Sequence, residues 1–319
     1  MPKVLCMIDL KLAPDALAPL GEIAEVDHLP GDPVKLRQII GNYDAYFGNA
    51  DLPVNAEMLQ HAPRLKVIAS PSTGTDHLDV AEMERRGIAL LSLTREYELL
   101  NTFTATAECA WGLLLACMRR IPAGLDAVRK GDWARERFTG RQLSRKTLGV
   151  IGVGRLGKMV VEYGKAFRMR VLGCDPKPIQ IPGVEQADME TLLAQSDVIS
   201  IHVHLTQQTR GMISRDAFAK MKHGVVLINT SRGAIIDEAA LLEALQSGKV
   251  AAAGLDVIDG EWMKDITQHP LVRYAQQHNN LVITPHVGGA TVESIGDARI
   301  FMAKKLAEYI QQHPERFRE

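Results

Sequence analysis

The sequence predicts an α/β protein with parallel sheets. Short apolar runs alternate with amphipathic stretches along nearly the whole chain. The later runs are apolar on both sides, as strands covered by helices on both faces must be. The 319 residues, 46% hydrophobic and 24% charged, have an ordinary globular composition, and a prior of about 150 residues per domain suggests two domains.

Charge and cysteine content argue against several functional classes. Lys and Arg number 37 against 38 Asp and Glu, so no basic excess is available for a nucleic acid backbone. The most apolar stretch, Ala107–Met118, is interrupted by Glu108 and is shorter than the roughly 20 residues that span a bilayer. The N-terminus has no signal-peptide pattern, and the four cysteines have neither CxxC pairing nor metal-ligand spacing. We therefore expect a reduced cytoplasmic protein without a metal site.

The first part of the chain is predicted to alternate strands and helices. The strands are predicted at Val4–Ile8, Ala45–Gly48, Leu65–Ala69 and Ile88–Leu91. Helices are predicted over Asn55–His61 and Asp76–Arg86, the second ended by Gly87. A long helix is predicted from about Thr104 to Arg129, and its broad apolar surface favours a position at a domain or subunit boundary.

A second strand–helix series begins at Thr147. Its strands are predicted at Thr147–Ile151, Arg170–Cys174, Val198–Val203, Val225–Asn229, Ala251–Leu255 and Leu281–Thr284. The last helix is predicted from Thr291 to about Gln312, with apolar positions at helical spacing.

A glycine-rich loop opens this second series. The segment Leu148–Gly157 carries a G-x-G-x-x-G directly after a β-branched strand and before an amphipathic helix. Gly152 permits the tight turn, Gly154 lets the backbone approach a pyrophosphate, and Gly157 allows close helix–strand packing. The helix N-terminus then offers its free N–H groups to the anion, which predicts a dinucleotide site.

An acidic residue ends the next strand. Asp175 follows Gly157 by 18 residues and can accept hydrogen bonds from the adenosine ribose hydroxyls. A carboxylate there repels a 2′-phosphate, so NAD is favoured over NADP, although Lys177 tempers that preference.

Three polar residues follow strands of this series, namely Arg232, Glu261 and His286. Ends of neighbouring parallel strands face one crevice, so these side chains are expected to converge on a bound cofactor. His286 would act as general acid, Glu261 would hold its ring and favour imidazolium, and Arg232 would bind a carboxylate and polarise a carbonyl. Taken singly, each has a plain alternative, as a surface turn, a solvated glutamate or a structural histidine.

The chain resembles the D-isomer-specific 2-hydroxyacid dehydrogenase family along essentially its whole length. The matching stretches are Leu148–Gly157 with Asp175, Leu227–Leu241, Gly254–Glu261, Thr284–Thr291, Ser72–Val80 and Thr104–Glu108. The intervals of 29 residues from Arg232 to Glu261 and 25 from Glu261 to His286 are close to the family's pattern.

The resemblance implies two Rossmann-like doubly wound domains. A flavodoxin-like substrate domain is expected at residues 1–100 plus 290–319, and an NAD-binding Rossmann domain at 101–289. It also implies catalysis in a cleft that closes, and a homodimer with the long helix from Thr104 packed across its two-fold axis. The cofactor-binding residues it implies are Gly152, Gly154, Arg155, Leu156, Gly157, Asp175, Thr106, Thr230, Asp256 and Gly288. The substrate-binding residues it implies are Ser72, Thr73, Gly74 and Arg232.

The sequence departs from the family's pattern near the expected substrate. Members that act on 3-phosphoglycerate usually carry R-S-x-T where this chain has Gly48–Asp51, so phosphate recognition is in doubt unless Arg135 or Arg137 replaces the missing arginine. Trp262 replaces a common proline after the glutamate, and His204 replaces another.

The resulting hypothesis is an NAD-dependent oxidoreductase acting on a small D-2-hydroxy acid or its 2-keto partner. Hydroxypyruvate, glyoxylate and 3-phosphoglycerate are the candidate substrates. The alternative, from a different class, is an NAD(H)-sensing interaction protein that resembles the family's corepressors and has little turnover.

Overall fold

The computed structural model describes residues 1–318, which divide into two compact units. Unit 1 contains Met1–Phe103 and the segment from Thr291 onward, and unit 2 contains Thr104–Ala290. Each unit is built on one parallel sheet, so the predicted α/β fold with two doubly wound domains is confirmed.

Unit 1 contains a five-stranded sheet. Its strands are β1 (Lys3–Cys6), β2 (Glu25–His28), β3 (Ala45–Phe47), β4 (Val67–Ala69) and β5 (Ala89–Leu91). They lie in the order β2-β1-β3-β4-β5, which is the flavodoxin-like arrangement.

Unit 2 contains a seven-stranded sheet. Its strands are β6 (Thr147–Ile151), β7 (Arg170–Cys174), β8 (Val184–Gln186), β9 (Val198–Ile201), β10 (Val225–Asn229), β11 (Val250–Leu255) and β12 (Leu281–Ile283). The order β12-β11-β10-β9-β6-β7-β8 reverses direction between β6 and β9, where doubly wound sheets form their ligand crevice.

Helices connect the strands of both sheets. Those of unit 1 before the boundary are α1 (Ala18–Gly21), α2 (Pro33–Ile39), α3 (Ala56–Gln60), α4 (Val80–Arg85) and α5 (Tyr97–Leu100). Those of unit 2 are α6 (Ala105–Arg119), α7 (Ile121–Arg129), α8 (Arg155–Ala166), α9 (Met189–Gln195), α10 (Arg215–Lys220), α11 (Glu238–Gln246) and α12 (Pro270–Gln277). The helix α13 (Val292–Gln312) belongs to unit 1 again.

The unit 2 sheet has an apolar layer on each face. All five residues of β6 and of β10 are buried, because side chains on both sides of these central strands meet helices. One layer joins the strands to α9, α10, α11 and α12, and the other joins them to α6 and α8. Rigid strands covered in this way hold the loops at their carboxyl ends in place.

The helix predicted over Asp76–Arg86 begins four residues later, at Val80. Asp79 is its N-cap, and its carboxylate accepts a hydrogen bond from the N–H of Glu82. The preceding residues form a turn instead, because Leu78 pairs with Val54 in a short parallel bridge. A distant strand-like contact therefore takes the backbone groups that a longer helix would have used.

The long helix predicted from Thr104 to Arg129 is two helices, α6 and α7. The break is at Arg120, whose left-handed φ of 54° turns the chain, and Pro122 follows in the first turn of α7. The apolar face of α6 is buried inside unit 2 against α8, β10 and β11. Among residues 1–318, no helix is both long and apolar enough to cross a membrane.

Candidate active site

Glu261 and His286 meet beyond the carboxyl ends of adjacent strands. Glu261 follows β11 and His286 follows β12, and the Nδ1 atom of His286 lies 2.7 Å from Oε1 of Glu261. The facing carboxylate can only accept, so the hydrogen-bond network assigns the proton to Nδ1. The indole of Trp262 lies beside the pair, with its ring centre 6.1 Å from that of the imidazole.

The backbone of His286 is held in an unusual conformation. Its φ of 53° lies in the left-handed region, which a residue with a side chain seldom adopts. Asp256, only 1% exposed, accepts hydrogen bonds from Thr284 Oγ1 at 2.6 Å, Val287 N at 2.9 Å and Gly288 N at 2.7 Å. Three donors on one buried carboxylate fix the loop around His286 and offset the strain.

Gly288 is required by this arrangement. A Cβ atom at this position would lie 2.7 Å from Oδ2 of Asp256, so a side chain would displace the carboxylate from its N–H donors. Thr106 at the start of α6 packs on the same segment, and its Cγ2 would lie 3.4 Å from that Cβ position. The structure therefore brings Asp256, Gly288 and Thr106 together, as expected for one end of a cofactor site.

The loop that carries Arg232 is tied to the end of β10. The buried Asn229 accepts a hydrogen bond from Ser231 N at 2.9 Å and donates one to the carbonyl of Arg232, also at 2.9 Å. The Nη1 atom of Arg232 donates to the carbonyl of Ser231 at 2.7 Å. Next to it, Gly233 packs so closely that a Cβ atom would lie 2.1 Å from the backbone N of Asp259. The loop that carries Arg232 and the loop before Glu261 are thus packed directly against each other.

The glycine loop after β6 has the geometry of a phosphate cradle. Gly152 has a φ of 85°, and a Cβ atom on Gly157 would lie 2.0 Å from the carbonyl oxygen of Gly152. Gly154 has open space where a Cβ would stand, and it precedes α8 without a side-chain cap. The first N–H groups of a helix have no intrahelical partners, so open space beside Gly154 at the start of α8 fits the pyrophosphate of a dinucleotide.

Asp175 at the end of β7 also supports the loop. Its carboxylate accepts hydrogen bonds from Val153 N at 2.8 Å and from Lys177 N at 2.9 Å. The carboxylate oxygens retain further lone pairs for ribose hydroxyls. Arg155 begins α8, and burial lowers the pKa of its guanidinium. Leu156 packs against the apolar layer beneath.

The buried hydroxyl of Thr230 also bears on whether unit 2 can hold a dinucleotide. This hydroxyl has no hydrogen-bond partner within residues 1–318. A buried hydroxyl without a partner is costly unless a ligand or water satisfies it, so this atom fits a polar group of the cofactor.

The predicted substrate residues of unit 1 form a local network of their own. Ser72 Oγ donates to the carbonyl of Gly74 at 2.6 Å, and Thr94 Oγ1 donates to the carbonyl of Thr73 at 3.0 Å. Ser70, buried at 1% exposure, contacts the hydroxyl of Ser72 at 3.1 Å. The turn at Ser72–Gly74 is thus held in a defined shape beyond the carboxyl end of β4.

Four residues near these loops were missed by sequence reasoning. They are Ser70, His77, Asn229 and Thr284: Ser70, Asn229 and Thr284 each contact a predicted site residue, and His77 contacts Ser70. Asn229 and Thr284 lie within the stretches Leu227–Leu241 and Thr284–Thr291 that match the family, at the ends of strands, and that position was the available signal. His77 also lies within a matching stretch, Ser72–Val80, whereas Ser70 carried no such signal, because its hydrogen bond with His77 at 3.1 Å depends on how the turn folds.

His202 follows β9 and lies beneath the glycine loop. Its Nε2 atom is 2.8 Å from Ser200 Oγ, and its Nδ1 atom is buried without a partner in the described chain. Burial lowers the pKa of His202 from an ordinary 6.5 to about 4, because the protonated ring would lose its hydration. A Cβ atom on Gly152 would lie 2.4 Å from the His202 carbonyl oxygen, so the backbone of His202 and the glycine loop are packed together.

Comparisons with known proteins agree with this geometry. The family model described as the D-isomer specific 2-hydroxyacid dehydrogenase NAD binding domain matches residues 111–288, more than half of the chain. Hydroxypyruvate reductase from Thermotoga maritima is 38% identical over 281 residues, covering 88% of both chains. D-3-phosphoglycerate dehydrogenase from Mycobacterium bovis is 38% identical over 290 residues, covering 89% of this chain but 52% of that protein. The chain therefore spans about half the length of the phosphoglycerate dehydrogenase that it matches.

A solved structure is similar across both units. D-lactate dehydrogenase from Aquifex aeolicus, complexed with NAD and lactic acid, matches with a TM-score of 0.86 and 28% identity, covering 98% of this chain and 97% of that one. The chain belongs to the D-isomer specific 2-hydroxyacid dehydrogenase family. The expectations of this family, of an oxidoreductase and of NAD as its cofactor are confirmed.

Proposed function

We propose that the chain interconverts a small D-2-hydroxy acid and its 2-keto acid, with His286 as the general acid and base. The observation that carries the proposal is the 2.7 Å contact between His286 Nδ1 and Glu261, in the same unit as the glycine loop. When bound, reduced NAD supplies a hydride for the substrate carbonyl carbon.

The cofactor residues follow from the contacts of unit 2. Gly152, Gly154 and Gly157 would admit the pyrophosphate to the N-terminus of α8, where Arg155 and Leu156 begin the helix. Asp175 would accept from the adenosine ribose, since its carboxylate faces the loop from the end of β7. The proposal further includes Thr106 of α6 and the residues Thr230, Asp256 and Gly288, which follow β10, β11 and β12.

The proton chemistry belongs to His286. Its Nδ1 is engaged by Glu261, so Nε2 is the nitrogen that exchanges a proton with substrate. In reduction, Nε2 donates its proton to the oxygen that becomes the hydroxyl, and Glu261 compensates the positive charge of the ring before the transfer. In oxidation the neutral ring takes that proton back.

Arg232 is proposed to bind the substrate carboxylate. A guanidinium presents two parallel N–H groups to a carboxylate, and its charge polarises a neighbouring carbonyl oxygen. Ser72, Thr73 and Gly74 are included as substrate-binding residues on the ordered turn of their own unit, whose backbone N–H groups suit an anion.

An unphosphorylated substrate such as hydroxypyruvate or glyoxylate is favoured over 3-phosphoglycerate. Asp51 lies in the loop after β3, and Arg299 of α13 interacts electrostatically with both Asp51 and Asp9. Asp51 brings a carboxylate to the segment where members that act on 3-phosphoglycerate usually carry R-S-x-T, and a carboxylate there repels a phosphate group.

A homodimer through α7 is also proposed. Ile121, Leu125 and Val128 are 46%, 53% and 54% exposed along this helix, and Trp133 beyond it is 83% exposed. Apolar side chains that remain exposed together are typical of a protein interface. Leu125→Asp is expected to convert a dimer to a monomer in light scattering, and a wild-type monomer would contradict the dimer.

A cytoplasmic location stays a prediction.

The first experiment is the loss of NADH absorbance with glyoxylate, hydroxypyruvate, phosphohydroxypyruvate, pyruvate and bulkier 2-keto acids at equal concentration. We expect hydroxypyruvate or glyoxylate to give the highest kcat/KM. A strong preference for phosphohydroxypyruvate would overturn the substrate class and direct attention to Arg135 and Arg137. Inactivity with every acid, combined with tight NADH binding, would favour the NAD-sensing alternative.

A further inference from the structure

A second glutamate–histidine pair lies behind the loop that carries Glu261. Glu238 is the first residue of α11 and His269 is the N-cap of α12. Oε2 of Glu238 lies 3.3 Å from Nε2 of His269. The histidine is 6% exposed and the side chain of Glu238 is 18% exposed, so both groups are withdrawn from most of the solvent.

Both members of the pair hold the backbone of one residue, Asp259. The N–H of Asp259 donates to Oε1 of Glu238 at 2.7 Å, and its carbonyl oxygen is 2.9 Å from Nε2 of His269. Asp259 precedes Glu261 by two residues. Its N–H and C=O groups are therefore both fixed from outside the loop, immediately before the side chain that meets His286.

The network also assigns the proton on His269. Its Nδ1 accepts from the N–H of Leu271 in the first turn of α12, at 3.3 Å. The proton must then be on Nε2, directed between the Asp259 carbonyl and the Glu238 carboxylate. Through these contacts His269 joins α12 to α11 and to the loop.

The loop needs such support because it is tightly constrained on both sides. Gly260 has a φ of 78°, which turns the chain directly after Asp259. On the other side, Gly233 packs against the N of Asp259, joining this loop to the one that carries Arg232. A shift at Asp259 would therefore displace Glu261 and Arg232 together.

Retaining a carboxylate here is costly. Burial raises the pKa of Glu238, and the neighbouring carboxylates of Asp259 and Glu261 raise it further, while the Asp259 N–H and His269 lower it. An apolar residue would avoid this cost, so a role beyond packing is indicated.

We propose that Glu238 and His269 are a positioning pair that holds the Asp259–Glu261 turn so that Glu261 meets His286. The inference rests on the proposed function of Glu261 and His286 and deepens it. Neither member of the pair is assigned a contact with substrate.

The test compares Glu238→Ala, Glu238→Gln and His269→Asn with matched controls. We expect Glu238→Ala to lower kcat by about 10- to 100-fold, with the keto acid KM within about twofold, because small misplacements of catalytic groups have effects of this size. Glu238→Gln retains an acceptor for the Asp259 N–H and should recover part of the loss. Glu243→Gln on the same helix, whose carboxylate pairs with Arg215, and His278→Gln beyond α12 should change kcat less than twofold.

A spectroscopic measurement separates positioning from general stability. In the ¹⁵N-labelled protein without substrate, the Nδ1 proton of His286 should give a downfield resonance that disappears in Glu261→Gln. We expect it to shift or broaden in Glu238→Ala and His269→Asn and to persist in Glu243→Gln. If Glu238→Ala fails to fold, Glu238→Gln and His269→Asn decide the question.

Two results would overturn the inference. One is an unchanged His286 resonance in the Glu238 and His269 variants. The other is a double variant, Glu238→Ala with Glu261→Ala, whose loss of kcat is the product of the two single losses, since groups acting through each other are non-additive. If His286→Ala and Glu261→Ala retain full turnover, the proposed function fails, and the resonance experiment still reports on positioning.

Discussion

The glycine loop and the His286 loop both follow strands of unit 2, but different forces hold them. The glycine loop is shaped by missing side chains, since Cβ atoms on Gly152 or Gly157 would overlap backbone atoms of neighbouring segments. The His286 loop is shaped by a buried carboxylate, Asp256, which gathers three hydrogen-bond donors. A loop that must approach a ligand closely uses glycine, whereas a loop that must aim one side chain uses charge-assisted hydrogen bonds.

The largest expected effect is on kcat and comes from replacing the side chain of His286. His286→Ala should lower kcat by about 10²- to 10⁴-fold, the range typical of general acid–base catalysis. NADH affinity should change little, because the glycine loop does not depend on this ring. Stopped-flow turnover and NADH fluorescence titration measure the two quantities separately. Turnover within about threefold of wild type would remove His286 from the mechanism.

Alanine at two glycines should separate ligand approach from packing. Gly154→Ala should leave the unfolding free energy nearly unchanged, since its Cβ meets no protein atom within 4 Å. It should weaken NADH binding by about 10- to 100-fold, because N–H bonds to a charged phosphate are worth about 1.5–3 kcal/mol.

Gly157→Ala is the matched contrast. Its Cβ would lie 2.0 Å from the Gly152 carbonyl, so overpacking should also lower the unfolding free energy by about 1–3 kcal/mol. Urea unfolding and NADH titration on both variants check this pair. Equal stability losses at the two positions would contradict the contrast.

Asp175→Ala should weaken NADH binding and reduce the preference for NADH over NADPH. Loss of a charged acceptor for ribose hydroxyls, and of the bond to Val153 N, should raise the NADH Kd about tenfold. The ratio of NADH to NADPH affinity should fall, since the repulsion of a 2′-phosphate is removed. An unchanged ratio would mean that Asp175 is not the ribose ligand.

The smallest expected effect concerns pH and His202. Its pKa falls from 6.5 to about 4 on folding, so the unfolded chain takes up the proton first as the pH decreases. The contribution of His202 to the unfolding free energy is therefore complete at neutral pH and is lost as the pH falls. The loss is roughly 1 kcal/mol from about pH 7 to about pH 5.5. His202→Gln should flatten that slope in urea unfolding. An equal slope in both proteins would show that the ring is solvated in the folded state.

Sequence patterns located the central strands of unit 2 well. The strands β6, β7 and β10 have the predicted bounds, because each has a buried apolar centre that helices cover on both faces. The strands β2 and β8 were not predicted. They lie at sheet edges with mostly exposed side chains, so they carry no apolar pattern and form only because a neighbouring strand pairs with them.

The features of the candidate site also divide into those that the sequence predicts and those that depend on contacts between distant segments. Gly152, Arg232, Glu261 and His286 stand beside strong local patterns, so their order and position after strands could be predicted from the chain alone. The left-handed backbone of His286 could not, because it depends on Asp256, thirty residues earlier in the chain.

By itself the sequence determined the α/β class, the dinucleotide loop and the ordered arginine, glutamate and histidine, since periodicity and strand-end residues are local properties. Only the tertiary structure decided which groups support them. The contacts of Glu238 and His269 with Asp259 join two helices to one turn, and no residue spacing in the sequence predicts these contacts. The reason is physical: burial and hydrogen-bond geometry arise between segments that meet only once the chain has folded.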